Sequence, residues 1–229
     1  MKKSAFAVLA ASALSLTAVP ALGQWHSVKR GHDPVVTGSG RIVSQQRAVG
    51  NFHRVEIKGA TNAQIRFGAG PSLTFRADDN LLPFLTSQVR NGTLILDSRG
   101  SYRTRTTPQA VITVPNLDFV NISGSGSAVM AGVNNRSLEL LIQGSGDVRA
   151  TGRTGHVKAS IQGSGNADLR GLAAGRADVA VMGSGNVWVD TNGAVTAKSF
   201  GSGNVYVLGR PSSLDTQRAG SGRVVVRSR

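Results

Sequence analysis

Residues 142–170 read IQGSGDVRATGRTGHVKASIQGSGNADLR. The Gly-Ser-Gly at Gly144 returns at Gly163, nineteen residues on. Working outward, the tripeptide begins at Gly124, Gly144, Gly163, Gly183, Gly201 and Gly220, in steps of 20, 19, 20, 18 and 19. With the copies aligned on the second glycine, two places later stand Ala128, Val148, Ala167, Val187, Val205 and Val224. Four places later stand Met130, Ala150, Leu169, Val189, Val207 and Val226. All are apolar. The alternate positions hold Ser127, Asp147, Asn166, Asn186, Asn204 and Arg223, then Val129, Arg149, Asp168, Trp188, Tyr206 and Val225. This is period-two alternation, the mark of a strand with one buried face. Ahead of the corner, Ile122, Ile142, Ile161 and Val181 form a second inward set, with Val120, Leu140, Ala159 and Val179 two places earlier.

Each copy thus predicts two short strands flanking a Gly-Ser-Gly corner. One copy cannot fold alone. An inward side chain contributes about 1.5–3 kcal/mol on burial, and each ordered residue costs about 1–2 kcal/mol of backbone entropy. Stacking copies about 4.8 Å apart adds ladder hydrogen bonds and a second apolar neighbour for every inward residue. The expected fold is all-β: a right-handed parallel β-helix, or solenoid, with rungs of about nineteen residues. Glycine allows the bend at each corner. The corner serines should form a column, and Asn166, Asn186 and Asn204 a ladder of stacked amides. Ser199 and Arg218 break the inward pattern in the last two copies, and the Arg-rich end from Arg223 to Arg229 reads as a blunted sheet edge.

The rest of the chain reads as a sequence of smaller parts. Residues 1–23 have the form of a signal peptide: Lys2 and Lys3, an apolar run from Ala5 to Ala18, and small residues at Ala21-Leu22-Gly23. Residues 24–40, with no periodicity, are expected to be a flexible leader. Residues 41–114 are expected to be an irregular β segment, with Val55 and Ile57, Ala63 and Ile65, and a tight turn at Asn91-Gly92. Asp78 to Leu85 suggests one helical turn broken at Pro83. Residues 115–229 form the repeat. These readings predict an exported protein, periplasmic, extracellular or at the cell surface. No run is long and apolar enough to make it an integral membrane protein.

Composition narrows the function classes. There is no cysteine, so no disulfide and no lipid-attachment cysteine. The net charge of +14 comes mostly from scattered arginines. It permits contact with anionic envelope polymers, while no specific nucleic-acid motif appears. The four histidines, His26, His32, His53 and His156, have no metal-ligand spacing. No phosphate loop, dinucleotide fingerprint or nucleophile elbow is present. Neither a metal nor any other cofactor is expected.

One family resemblance is specific. Phe52-x-x-Val55-x-Ile57-x-Gly59, Ala77-Asp78-Asp79-Asn80-Leu81-Leu82-Pro83, Gly92-Thr93-Leu94-Ile95-Leu96 and Asn121-Ile122-Ser123-Gly124-Ser125-Gly126 occur in that order, followed by the further corners. Over residues 42–225 the chain resembles the putative auto-transporter adhesin head, or GIN, domain family. That resemblance implies an exported β-helical domain and leaves the ligand open. A complete auto-transporter would also carry a C-terminal membrane barrel, and none is expected from this sequence.

The function expected is therefore a non-catalytic binding or structural module, not an enzyme, touching a surface glycan or an envelope protein. The candidate site is the outward column holding Trp188 and Tyr206, with Arg149 and Asp168 continuing it. The aromatics occupy one register on consecutive copies, so they should stack and offer a platform. The plainer reading is a cross-strand pair that only stabilises the sheet. The alternatives are a polysaccharide lyase or hydrolase on a β-helix scaffold, using Asp147, Asp168 or Asp178, or arginine-mediated binding of anionic envelope polymers.

Overall fold

A computed structural model describes residues 35–228. The expected signal peptide and leader residues 24–34 lie outside the described residues. The chain enters through β1 (Val36–Thr37) and β2 (Ile42–Arg47), then β3 (Arg54–Gly59) and β4 (Asn62–Phe67). Next come β5 (Ser72–Asp78), β6 (Leu85–Arg90), β7 (Thr93–Ser98), β8 (Tyr102–Arg103) and β9 (Gln109–Val114). The repeat then supplies β10 (Phe119–Gly124), β11 (Ala128–Gly144), β12 (Val148–Gly163) and β13 (Ala167–Gly183). It ends with β14 (Val187–Thr191), β15 (Ala194–Gly201), β16 (Val205–Leu208), β17 (Ser213–Ala219) and β18 (Val224–Arg227).

These strands build a β-solenoid of about five turns, with stacked parallel strands about 20 residues apart. Two sheets meet at the corner column. The face before the corner stacks β3, β10, the second halves of β11, β12 and β13, then β15 and β17. The face after it stacks β4, the first parts of β11, β12 and β13, then β14, β16 and β18. Three rungs differ from the expected pair of short strands. β11, β12 and β13 run from one corner to the next, bent by register shifts after Met130, Arg149 and Leu169. The inward residues form a single apolar core in which Ile57, Ile122, Ile142, Ile161 and Val181 stack, all at most 1% exposed.

The corner geometry explains both glycines. The carbonyl oxygen of Gly124 accepts from the N–H of Ser145 at 3.0 Å and of Gly146 at 3.2 Å. The Gly144 oxygen accepts from Ser164 at 2.9 Å and Gly165 at 3.1 Å, and the pattern continues upward. One carbonyl thus satisfies two donors of the next rung, which brings backbone against backbone. A Cβ on Gly163 would overlap the oxygen of Gly144, and one on Gly165 the oxygen of Gly146. Gly163 also has φ 139°, which disfavours any side chain. The serine between them is exposed on every copy.

Alongside runs the amide ladder. Asn166 donates its backbone N–H and its Nδ2 to Asp147 Oδ1, at 2.9 and 3.0 Å. Asn186 does the same to Asn166 Oδ1, and Asn204 to Asn186 Oδ1. Asn62 begins the column, accepting from the N–H of Ser127, and the N–H of Arg223 ends it on Asn204. Ser199, which breaks the apolar pattern, still points inward at 1% exposure and donates its Oγ to the Gly203 carbonyl at 2.7 Å. Arg218 lies on the exposed strand β17.

The solenoid begins well before residue 115. β10 pairs in parallel with β3, aligning Gly124 with Gly59, and β11 pairs with β4, aligning Ala128 with Ala63. Gly59-Ala60-Thr61 is therefore the first corner, and 68–118 is an insertion between β4 and β10. The insertion closes the stack from below. β7 extends one face and β9 the other, in parallel, and β6, β5 and β2 then run antiparallel to end it. The segment 79–84 makes only isolated turns around Pro83, with no helix: Leu81 and Leu82 both donate to the Asp78 carbonyl, Pro83 has no N–H to donate, and Phe84 and Leu85 both donate to the Leu81 carbonyl.

Residues 36–40, expected to end a flexible leader, are instead held. β1 pairs with β8. Asp78 accepts from the N–H of Gly40 at 2.6 Å and from the Thr104 hydroxyl. Ser39 donates its Oγ to Asp79 at 2.6 Å, and Asn80 bridges the Ser39 N–H and the Thr37 carbonyl. Hydrogen bonding from Ser39 lowers the Asp79 carboxyl below its usual range. The Asp78-Asp79-Asn80 motif is thus a latch for the entering chain, and Gly38-Ser39-Gly40 is its other half rather than a solenoid corner.

Candidate binding site

The outward residues of the face after the corner carry the most distinctive chemistry. Alternation along β12, β13, β14 and β16 sends Arg149, Asp168, Trp188 and Tyr206 outward, and parallel register places them one above another. The four residues picked out by sequence thus form one column. Trp188 and Tyr206 stack with ring centroids 5.4 Å apart and planes 8° from parallel. Both are half-buried.

Two arginines of this face escape the copy-by-copy alignment. Arg170 follows Asp168 by two residues and shares its side of the strand. It grips the carboxylate with two hydrogen bonds of 2.8 Å, from Nε and one terminal nitrogen, while Arg149 approaches from the rung below at 3.0 Å. Arg170 also lies over Trp188, 5.8 Å from its centroid. Arg227 lies over Tyr206 at the same distance. The column is therefore a stack ordered Arg170, Trp188, Tyr206, Arg227. Continuing the period of two outward from Asp168 and from Val225 would have found both arginines.

This order changes the expected platform. A free platform offers a ring face; here each face has an occupant. Trp188 lies between Arg170 and Tyr206, and Tyr206 between Trp188 and Arg227.

Two depressions flank Trp188. One, of about 480 Å³, runs between the amide ladder and the column, lined by Val129, Asp147, Arg149, Asp168, Arg170 and Trp188 among others. The other, of about 100 Å³, lies past the ring, between Arg170, Trp188, Tyr206, Leu208 and Arg227. The hydrogen bonds from Arg170 hold the Asp168 carboxyl down at about 2, against a smaller opposing effect of burial.

The face before the corner is balanced differently. Lys158 pairs with Glu139 at 2.7 Å, and Asp178 takes His156 at 2.8 Å and Arg176 at 3.2 Å. Burial pushes the Asp178 carboxyl up, but its hydrogen bonds from His156, Arg176 and Thr196 outweigh this and lower it. His53 meets Asp118 at 2.9 Å. Sequence spacing gave no hint of either histidine pair, because each is brought together across rungs. Among the described residues no group of three His, Asp or Glu side chains converges as a metal site would require, and no helix is long and apolar enough to cross a membrane.

Solved structures with a similar fold include several from bacteria. A putative adhesin from Bacteroides fragilis superposes with a TM-score of 0.65 at 18% identity, covering 84% of this chain and 100% of its own. A putative lipid binding protein from Parabacteroides distasonis gives 0.58 at 19%, covering 85% and 100%. A putative adhesin from Parabacteroides merdae gives 0.53 at 16%, covering 84% and 98%. Identities this low show a shared fold alone. No curated protein matches the chain. The family described as "Putative auto-transporter adhesin, head GIN domain" matches residues 51–211, from before the first corner to past the fifth Gly-Ser-Gly, and the chain belongs to that family.

Proposed function

We propose that this protein is an exported, non-catalytic binding module of the cell envelope, and that it contacts a surface glycan along the face after the corner. The observation that carries the reading is the Trp188–Tyr206 stack, half-exposed between two depressions on an otherwise regular scaffold. Structural reasons alone would be met by threonine or valine at those outward positions, as elsewhere on the solenoid. Membership of an adhesin family supports the same direction.

A hydrolase or lyase is disfavoured by the state of the carboxylates. A general acid needs a pKa near the working pH. Asp168 is held at about 2, and Asp147 Oδ1 accepts two donors from Asn166. A carboxyl held so low is ionised at neutral pH and has no proton to give a leaving group. The test is a glycan array combined with a turnover assay on the protein from Gln24 onward. Saturable binding, lost in a Trp188→Ala, Tyr206→Ala double variant and without product, is the expected result. Product formation would overturn it, as would binding only to envelope proteins. Export has its own check: intact mass of the periplasmic or secreted protein should place the first residue at Gln24, and a protein still starting at Met1 would contradict it.

A further inference from the structure

We propose that the ligand of this face is an acidic, linear polysaccharide, such as a uronate polymer, lying along the solenoid axis; this rests on the glycan reading above. The first support is what the column presents. An aromatic ring is negative on its faces and positive at its rim. The faces of Trp188 and Tyr206 are taken by each other and by Arg170 and Arg227. What remains for a ligand is ring rims and guanidinium groups, all positive in character. A neutral sugar stacking on an outer ring face must compete with the guanidinium over it, whereas a carboxylate meets the donors of Arg149, Arg170 and Arg227 along the column.

The second support is the layering of charge. The Arg149 and Arg170 side chains are 63% and 54% exposed, while Asp168 between them is 19% exposed. Asp190 nearby is 7% exposed. Asp147, at the mouth of the larger depression, is engaged by Asn166. Asp168 and Asp190 lie beneath and the Arg149 and Arg170 heads above, so a chain approaching the column meets positive charge first, with Asp147 the one exposed carboxylate beside it. Arg227 adds a further cation at the far end, over Tyr206.

The third support is shape. The lining residues fall on successive rungs, from Val129 through Arg149, Asp168 and Trp188 to Tyr206, with Arg227 on the rung above. Five steps of about 4.8 Å give a track of roughly 24 Å, long enough for several sugar units in a row. Single-stranded nucleic acid also favours arginine beside aromatics, but it needs ring faces on which bases stack. The Trp188 and Tyr206 faces turned toward each other are closed to a base, and each outer face has a guanidinium over it.

The experiment titrates the protein from Gln24 onward with polygalacturonate, alginate and hyaluronate, each beside its carboxyl-reduced counterpart, at two salt concentrations. At least one acidic polymer is expected to bind, more weakly at higher salt, and at least tenfold more tightly than its reduced form. Short oligomers of that polymer should bind progressively less well than long ones. Arg149→Gln and Arg227→Gln should each lower affinity about five- to tenfold, with melting temperature unchanged. If a reduced polymer binds as well as the acid and Trp188→Ala abolishes both, the glycan reading stands and the assignment of acidic ligands falls. If no glycan of either kind binds, the glycan reading itself falls. An oligonucleotide that outcompetes every polyuronate would overturn the choice of polysaccharide.

Discussion

On each Gly-Ser-Gly rung the corner and the outward column after it lie within a few residues of each other, yet they obey opposite rules. The corner is the same at Gly124, Gly144, Gly163, Gly183, Gly201 and Gly220, while the column changes from Val129 to Arg149, Asp168, Trp188, Tyr206 and Val225. The corner must repeat because each turn rests on the carbonyl below it, with no room for a Cβ. The column can vary because its side chains face away from the core. The repeated element therefore makes the scaffold, and the varied element is where a ligand can be recognised.

The sharpest way to break this contrast is at the corner. Gly165→Ala drives a Cβ into the Gly146 carbonyl oxygen and close to the Ile142 side chain, and neither backbone can move without disturbing its ladder. Urea unfolding should show a loss of about 3 kcal/mol or more, or no folded protein. Ser164→Ala, on the same corner but exposed, should stay within about 0.5 kcal/mol of the parent.

The amide ladder comes next. Asn186 accepts two hydrogen bonds from Asn204 and donates to Asn166. Asn186→Ala should cost about 1–3 kcal/mol, since the Asn204 N–H is left without its acceptor. The same method reads it, and an effect under 0.5 kcal/mol would make the ladder ornamental.

A smaller effect tests the column's electrostatics. The folded Asp168 carboxyl, at about 2, lies below its ordinary value of 3.8. A depressed carboxyl contributes stability above its unfolded pKa and loses it as pH falls through the folded one. The stability gap between the parent and Asp168→Asn should thus be steady above about pH 5 and shrink between about pH 4 and 2. A gap that grew on acidification would contradict the Arg149–Asp168–Arg170 arrangement.

The sequence made the solenoid legible because a steric rule repeats in it. It hid the first rung for the same reason. Gly59 has no rung of its own kind beneath: a Cβ there would meet only the Ser98 Oγ, at 3.8 Å. Its corner keeps glycine for a φ of 79° but carries Ala60 and Thr61 in place of Ser-Gly. The signature begins only where one corner must sit on another. The latch from Asp78 to Asn80 was equally hidden, since its partners Thr37, Ser39 and Gly40 lie some 40 residues away in the chain. In the column, register alone brought Arg149, Asp168, Trp188 and Tyr206 together correctly. What register cannot reveal is side-chain direction: Arg170 and Arg227 folding over the rings turned an expected open platform into a closed stack.

The aromatic pair belongs to recognition and the glycine corner to folding. Urea unfolding of the Trp188→Ala, Tyr206→Ala double variant tests this most directly. The stacked pair contributes about 0.5–1.5 kcal/mol beyond the area it buries, and its half-exposed rings cover none of the core's inward residues. The variant should therefore unfold within about 2 kcal/mol of the parent, with the same steepness, while its glycan binding is gone. A loss as large as that of Gly165→Ala would mean that the pair is a structural staple, and the division between scaffold and site would fail.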